Sequence, residues 1–165
     1  MRKADLTKNH DWFEQELIRV YDFLNRVKEP KLVIKGLLDK YDPYEITESS
    51  IVRICAIWES FVEEELVDCL NLDCSKFSEY LRLDLPKDMN KNMCSAILLG
   101  DRYLDFGIDN IKHRADQVLC DVNNPFKLID KKTCDKIKEV YIIRNYLSHL
   151  SRKSQWALRQ MYEKS

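Results

Sequence analysis

The scarcity of helix-breaking residues constrains the fold of this chain more than any other feature of its sequence. Only 3 glycines and 4 prolines occur among 165 residues, so long helices meet few interruptions. Apolar residues recur mostly at steps of three and four, the period of a helix with one buried face. No segment shows the alternation of a strand. The chain is therefore predicted to be all-α, in the form of an antiparallel helical bundle.

The first half of the chain is predicted to hold two long helices. We expect the first over residues 5–29, ended by Pro30 because proline cannot continue a helix. The second is expected over residues 50–72. The stretch DPYEITESS before it has turn chemistry and offers Thr47 or Ser49 as a helix cap.

Turn residues also divide the second half of the chain. Gly107 is expected to separate a turn from a following helix, and Asp130 is expected to cap a last long helix that begins near Lys131. A helical tail is predicted over residues 154–163. At this length the whole chain, residues 1–165, fits a single domain.

Composition narrows the classes of protein that remain. No run of about 18 apolar residues is present, which argues against a membrane span. The N-terminal stretch MRKADLTKNHDW lacks the apolar segment of a signal peptide, so we expect a cytoplasmic protein. The six cysteines form no CxxC pair, and we expect buried free thiols with no metal site and no cofactor.

Charge is distributed unevenly along the chain. Residues 131–165 carry 9 Lys or Arg against 3 Asp or Glu, whereas the remaining residues carry 18 against 25. The C-terminal segment therefore has a net charge of +6 within a protein whose overall net charge is −1. Such a segment can attract an anionic ligand, although the charges alone favour a solvated helix face.

One short stretch of this basic segment, IIRNYLSHLSRKS at residues 142–154, holds polar residues that a helix core does not need. Asn145 and His149 are four residues apart and share a helix face. Arg144 lies about 140° around the axis from His149. The two can converge on one ligand if the helix bends or ends near Ser148, or if a second copy of the helix faces the first in a two-fold dimer.

These residue types suit the cleavage of RNA without a metal. Histidine titrates near neutrality and can act as a general acid or base, and arginine holds a phosphate through paired hydrogen bonds. Structural roles explain the same residues. Arg144 can pair with Glu59, His149 can stabilise a helix C-terminus, and Asn145 can be a buried amide. The residues alone leave both interpretations open.

The stretch RNYLSH resembles the R-x4-6-H signature of the HEPN superfamily, including the polar residue after the arginine. Two further segments resemble its RiboL-PSP-HEPN branch. They are AIWESFVEEEL, at residues 56–66, and NPFKLIDKKTCDKIKEVYIIRNYLSHLSRKSQWAL, at residues 124–158. The resemblance implies a helical bundle that pairs as a homodimer. It also implies metal-independent endoribonuclease activity, often in toxin–antitoxin or antiviral defence systems.

By position, the resemblance assigns Arg144 to the scissile phosphate and His149 to general acid or base catalysis. It assigns Asn145 to orienting His149 or to binding the phosphate backbone. Supporting residues around this site are expected to be Glu59, Tyr146 and Ser148. The residues expected to bind RNA are Ser151, Arg152, Lys153 and Arg159.

Two other functions remain as alternatives. HEPN-like bundles also serve as non-catalytic interaction or scaffold modules, in which the motif residues support folding. A third alternative is a partner of a nucleotidyltransferase, with Tyr146 as a target of nucleotide modification. An antitoxin is a further expected partner if the protein is a toxin. Trp156 and Tyr162, in the basic tail, are expected in the core or in a dimer contact, and less readily as platforms for stacking bases.

Overall fold

The computed structural model describes residues 3–87, 89–100 and 104–163, with the side chains of Ile34 and Leu99 left aside. All regular secondary structure in these ranges is helical, which confirms the all-α prediction. In the same ranges, no helix is both long enough and apolar enough to cross a membrane. The α-helices are α1 (Leu6–Val27), α2 (Pro30–Ile34), α3 (Asp42–Leu72), α4 (Ser75–Leu81), α5 (Lys91–Leu99), α6 (Ile108–Val118), α7 (Lys131–His149) and α8 (Arg152–Glu163), and two short 3-10 helices span Asp121–Asn123 and Pro125–Leu128.

The start of α3 corrects a prediction. The helix begins at Asp42, eight residues earlier than expected, so Thr47 and Ser49 lie inside it. The Thr47 hydroxyl donates to the carbonyl of Pro43 at 2.7 Å, and the Ser50 hydroxyl donates to the carbonyl four residues before it at 2.8 Å. These hydroxyls are therefore satisfied within the helix, where they bond back to the preceding turn. The proline is tolerated because it lies in the first turn, where its missing N–H has no intrahelical partner.

Several other predicted helix ends agree with the structure, although α8 begins at Arg152 and not at residue 154. The first helix ends at Val27, and Pro30 opens α2 at its first position. Gly107 precedes α6, as expected. Asp130 caps α7, since its Oδ1 accepts a hydrogen bond from the backbone N–H of Thr133 at 2.7 Å.

The chain divides into two compact units. The first comprises Met1–Asp11 with Glu59–Ile137, and the second comprises Trp12–Trp58 with Lys138–Ser165. Each unit is thus built from two separate stretches of sequence. The single domain over residues 1–165 stays a prediction.

The first unit holds most of the buried apolar side chains. Helix α4 packs against α6, and α6 packs against the 3-10 helix Pro125–Leu128. Phe77, Ile111 and Phe126 are almost completely buried there. The amide of Asn71 is also buried, and it accepts from the Ala4 N–H at 2.8 Å and donates to the Met89 carbonyl at 2.7 Å. This unit satisfies a buried polar group in the way expected of a well-packed core.

The cysteines are all free thiols, as predicted. Five are buried, and Cys120 is half-buried. Burial raises the pKa of Cys69 to about 12, and the neighbouring carboxylates of Glu65 and Asp68 add to this shift. Such a thiol is un-ionised near neutral pH and behaves as a small apolar side chain.

The second unit buries far fewer side chains. Its buried residues among those described are Val20, Val27, Ser50, Cys55, Ile57 and Ser154. Many of its large apolar side chains are exposed instead, and half-buried residues line α7 from Val140 to Ile143. The exposed members are Trp12, Ile18, Tyr21, Phe23, Leu37, Tyr41, Tyr44, Val52, Leu150, Trp156 and Tyr162.

Candidate active site

The predicted motif lies where two helices of the second unit meet. Helix α7 ends at His149, and α8 begins at Arg152. Leu150 between them adopts a left-handed backbone conformation with φ of 44°, and its N–H donates to the Tyr146 carbonyl at 2.9 Å. The helix that carries Arg144 therefore stops immediately after His149. This break is one of the two arrangements that the sequence allowed for bringing motif residues onto one ligand.

Two serines fix the start of α8. The Ser154 N–H donates to the Ser151 hydroxyl oxygen at 3.2 Å, and the Ser154 hydroxyl donates to the Ser151 carbonyl at 2.9 Å. The Ser151 side chain thus caps α8, a role that sequence analysis did not assign to it. The expected contact between Ser151 and RNA stays a prediction, and the cap is a structural reason for a serine at this position.

A cavity of about 280 Å³ opens at this junction. It brings together four residues that were predicted for the site, two on α7 and two at the start of α8. Ile142, Ser154 and Ala157 were not predicted. Helical spacing could have indicated them, since Ile142 lies three residues before Asn145 and Ala157 three after Ser154. The lining residues are Ile142, Asn145, His149, Ser151, Lys153, Ser154 and Ala157.

Arg144 is half-buried and does not line this cavity, although its neighbour in sequence, Asn145, does. Its Nη1 donates a hydrogen bond to Asn145 Oδ1 at 3.2 Å. The amide oxygen of Asn145 accepts this bond, and its NH₂ group is the donor of the same side chain. The arginine and the cavity are thereby linked through one side chain.

The other residues that were predicted to support the site do not line the cavity. Tyr146 is half-buried and Ser148 exposed, and neither lines the cavity. Glu59 is half-buried and belongs to the first unit. Its predicted role as a partner of Arg144 stays a prediction.

The surface of α8 is basic and carries exposed aromatic side chains. Arg152, Lys153 and Arg159 are exposed, and the helix has one acid, Glu163, at its last position. Trp156 and Tyr162 are 65% and 66% exposed. Within the chain they are therefore surface residues, and packing in the core of the chain does not explain them.

The two remaining histidines lie in the first unit with other partners. His10 Nε2 is 3.2 Å from Glu65 Oε1, and Asn9 donates to the other oxygen of this buried carboxylate at 2.8 Å. His113 bonds to Gln117 at 3.0 Å. His149 is thus the histidine that the second unit contributes.

No protein-family model matches this chain, and no curated protein and no solved structure matches it either.

Proposed function

We propose that this protein is a metal-independent endoribonuclease that acts as a homodimer and cleaves RNA through Arg144, Asn145 and His149. The observation that carries the proposal is the cavity at the α7–α8 junction, where His149 and Asn145 lie together with Lys153. The resemblance of the RNYLSH stretch to the HEPN signature supports it from the sequence. We further propose that it works in the cytoplasm, in a toxin–antitoxin or antiviral defence system.

The reaction is an attack of a ribose 2′-hydroxyl on the adjacent phosphorus. A general base removes the 2′-hydroxyl proton, and a general acid protonates the leaving 5′-oxygen. The products are a 2′,3′-cyclic phosphate end and a free 5′-hydroxyl end. An exposed imidazole at a helix end suits either role, since histidine is the commonest general acid or base in proteins.

The phosphate would be held by the cations and the amide around His149. Lys153 lines the cavity, and the Asn145 NH₂ group is a donor within the same lining. Arg144 is bonded to Asn145, and its guanidinium would bind the phosphate once RNA is present. The N-terminal end of α8 adds a partial positive charge beside these groups, because the first backbone N–H groups of a helix have no partner within the helix.

A single chain supplies one histidine to this site, whereas the reaction uses both a base and an acid. A second copy related by a two-fold axis would bring a second His149 to the same cleft. Leu150 at the α7–α8 junction and Trp156 and Tyr162 along α8 are exposed, and such apolar side chains favour contact with another molecule. We therefore propose a homodimer whose site is shared between protomers.

The decisive experiment is RNA digestion in EDTA with analysis of the product ends. We expect the wild-type protein to give 2′,3′-cyclic phosphates, and His149→Ala to lose activity by about 10²- to 10⁴-fold, the usual contribution of a general acid or base. His113→Ala is the matched control, because it removes an exposed histidine of the other unit. Equal cleavage by wild type and a folded His149→Ala protein would contradict the proposal.

A non-catalytic interaction module is the second candidate function. The exposed Trp156 and Tyr162 favour it, since a partner other than a second copy could cover them. An antitoxin or a nucleotidyltransferase would be such a partner. In this case His149→Ala and Arg144→Ala would lower stability or weaken association, and none of the proteins would cleave RNA.

A further inference from the structure

A second cavity of the second unit lies between α1 and α3 and is larger than the one at His149. Its volume is about 570 Å³, within the usual range for small-molecule sites. None of its lining residues belongs to the RNYLSH motif. The lining residues are Arg19, Val20, Phe23, Glu45, Ile46, Ser49, Ser50 and Arg53.

Two arginines of this lining converge on one carboxylate. Arg53 Nη2 lies 3.3 Å from Glu16 Oε2, and Arg19 Nη1 pairs with the other oxygen, Oε1. Glu16 is largely buried, with its side chain 13% exposed, while the two arginine side chains are 69% and 63% exposed. The two guanidinium groups are thus arranged around the carboxylate of Glu16, which does not itself line the cavity.

This pairing leaves the arginines able to bind a ligand. Solvent screens these ion pairs on the arginine side, because both guanidinium groups are more than half exposed. A carboxylate that enters the cavity can therefore compete with Glu16 for one or both guanidinium groups. Glu16 shows which anion the pair accommodates, a flat carboxylate with one oxygen for each arginine.

The rest of the lining complements the other parts of an α-amino acid. Val20, Phe23 and Ile46 offer an apolar wall, and Phe23 is 43% exposed. Glu45 is exposed and acidic, so it can accept hydrogen bonds from an ammonium group. The Ser50 hydroxyl is already bonded to the Ile46 carbonyl at 2.8 Å, which leaves Ser49 as the exposed hydroxyl of the lining.

We propose that this cavity binds a free apolar α-amino acid. Arg19 and Arg53 hold its carboxylate, Glu45 accepts from its ammonium group, and Phe23 packs against its side chain. A zwitterion fits this set of charges better than a simple anion does, because the lining offers groups of both signs. The site is independent of the proposed RNA cleavage.

Calorimetric titration of the full-length protein with L-phenylalanine tests the proposal. L-Phenylalaninamide lacks the carboxylate and N-acetyl-L-phenylalanine lacks the ammonium group, so both should bind at least about tenfold more weakly, the effect of one lost charged hydrogen bond. L-Leucine should bind and L-aspartate should not, because the wall is apolar.

Protein variants give a second test, in which one substitution should weaken phenylalanine binding and another should strengthen it. Arg53→Gln should weaken phenylalanine binding by about tenfold or more. Glu16→Gln should strengthen it, because the competing carboxylate is removed while the arginines remain. Arg26→Gln, an exposed arginine of α1 outside the lining, is the matched control and should change nothing.

The proposal is overturned if neither phenylalanine nor leucine binds. It is also overturned if the amide or the N-acetyl derivative binds as tightly as phenylalanine. Thermal melting of each variant establishes that it is folded. If Glu16→Gln fails to fold, Arg53→Gln and Glu45→Gln still decide, since both must weaken binding of the zwitterion.

Discussion

The proposed shared site, with one histidine from each protomer, makes a quantitative prediction for mixed dimers. We consider a heterodimer of one wild-type chain and one His149→Ala chain, in which a two-fold cleft keeps a single imidazole. If one histidine is the base and the other the acid, this heterodimer lacks one of the two groups. Its activity should then fall by about 10²- to 10⁴-fold relative to the wild-type dimer.

The arithmetic of random pairing gives a second magnitude. Equal amounts of the two chains that exchange freely form wild-type homodimers as about a quarter of all dimers, by the statistics of a symmetric pair. If both histidines are needed, the mixture should show about a quarter of the activity of wild-type protein at the same total concentration. If one histidine is enough, about half or more should remain.

Two affinity tags allow the heterodimer to be isolated directly. The chains are co-expressed with different tags, purified on both, and tested on RNA in EDTA. A heterodimer of wild type with His113→Ala is the control and should keep full activity, because His113 lies in the other unit. A fully active His149→Ala heterodimer, or a wild-type enzyme that cleaves RNA as a monomer, would refute the reasoning.

Three further predictions concern the ends of α7 and α8. Ser151→Ala should lower the free energy of unfolding by about 1 kcal/mol in urea unfolding, because it removes the cap of α8. Ser151→Asp should keep the cap yet reduce RNA cleavage, because its carboxylate repels phosphate. Equal cleavage by Ser151→Asp and wild type would argue against phosphate at this position. Leu150→Gly should raise the free energy of unfolding by about 0.5 kcal/mol, because relief of the left-handed conformation slightly outweighs the added chain entropy, and a clear loss in urea unfolding would contradict this. The backbone hydrogen bond from Thr133 holds the pKa of Asp130 below its usual value. The stabilisation from this carboxylate is therefore present at neutral pH and is lost as pH falls through the lowered pKa. Asp130→Asn keeps a capping side chain and should show a weaker loss of thermal stability at acid pH, and pH profiles identical to those of wild type would contradict the assignment.

Local signals in the sequence were enough to predict much of the fold. Pro30, Gly107 and Asp130 each act through the few residues beside them, and the structure places all three at the expected helix ends. The same reasoning failed at the start of α3. Thr47 and Ser49 are good caps in isolation, but a hydroxyl can also bond back to the preceding turn inside a helix. The choice between these roles depends on packing, which the local sequence does not contain.

The candidate site divides in the same way. Asn145 and His149 were predicted together because four residues of helix place them on one face, and the structure has both in one cavity. The left-handed conformation of Leu150 was not predicted, since leucine gives no local signal for it. The cluster of Glu16, Arg19 and Arg53 was missed because α1 and α3 meet across 37 residues of chain.

A homodimer would account for both the exposed apolar side chains of the second unit and the single histidine of the proposed site. In the described part of this unit, Leu150 directly follows the exposed His149, and Trp156 and Tyr162 are exposed along α8. Exposure of large apolar side chains to water is unfavourable, and contact with another molecule would remove them from water. A second copy placed there would cover these side chains and would also supply the second imidazole that acid–base cleavage uses. If dimerisation serves catalysis in this way, then Trp156→Ala should weaken dimerisation and RNA cleavage in parallel, and cleavage by the variant should recover at high protein concentration.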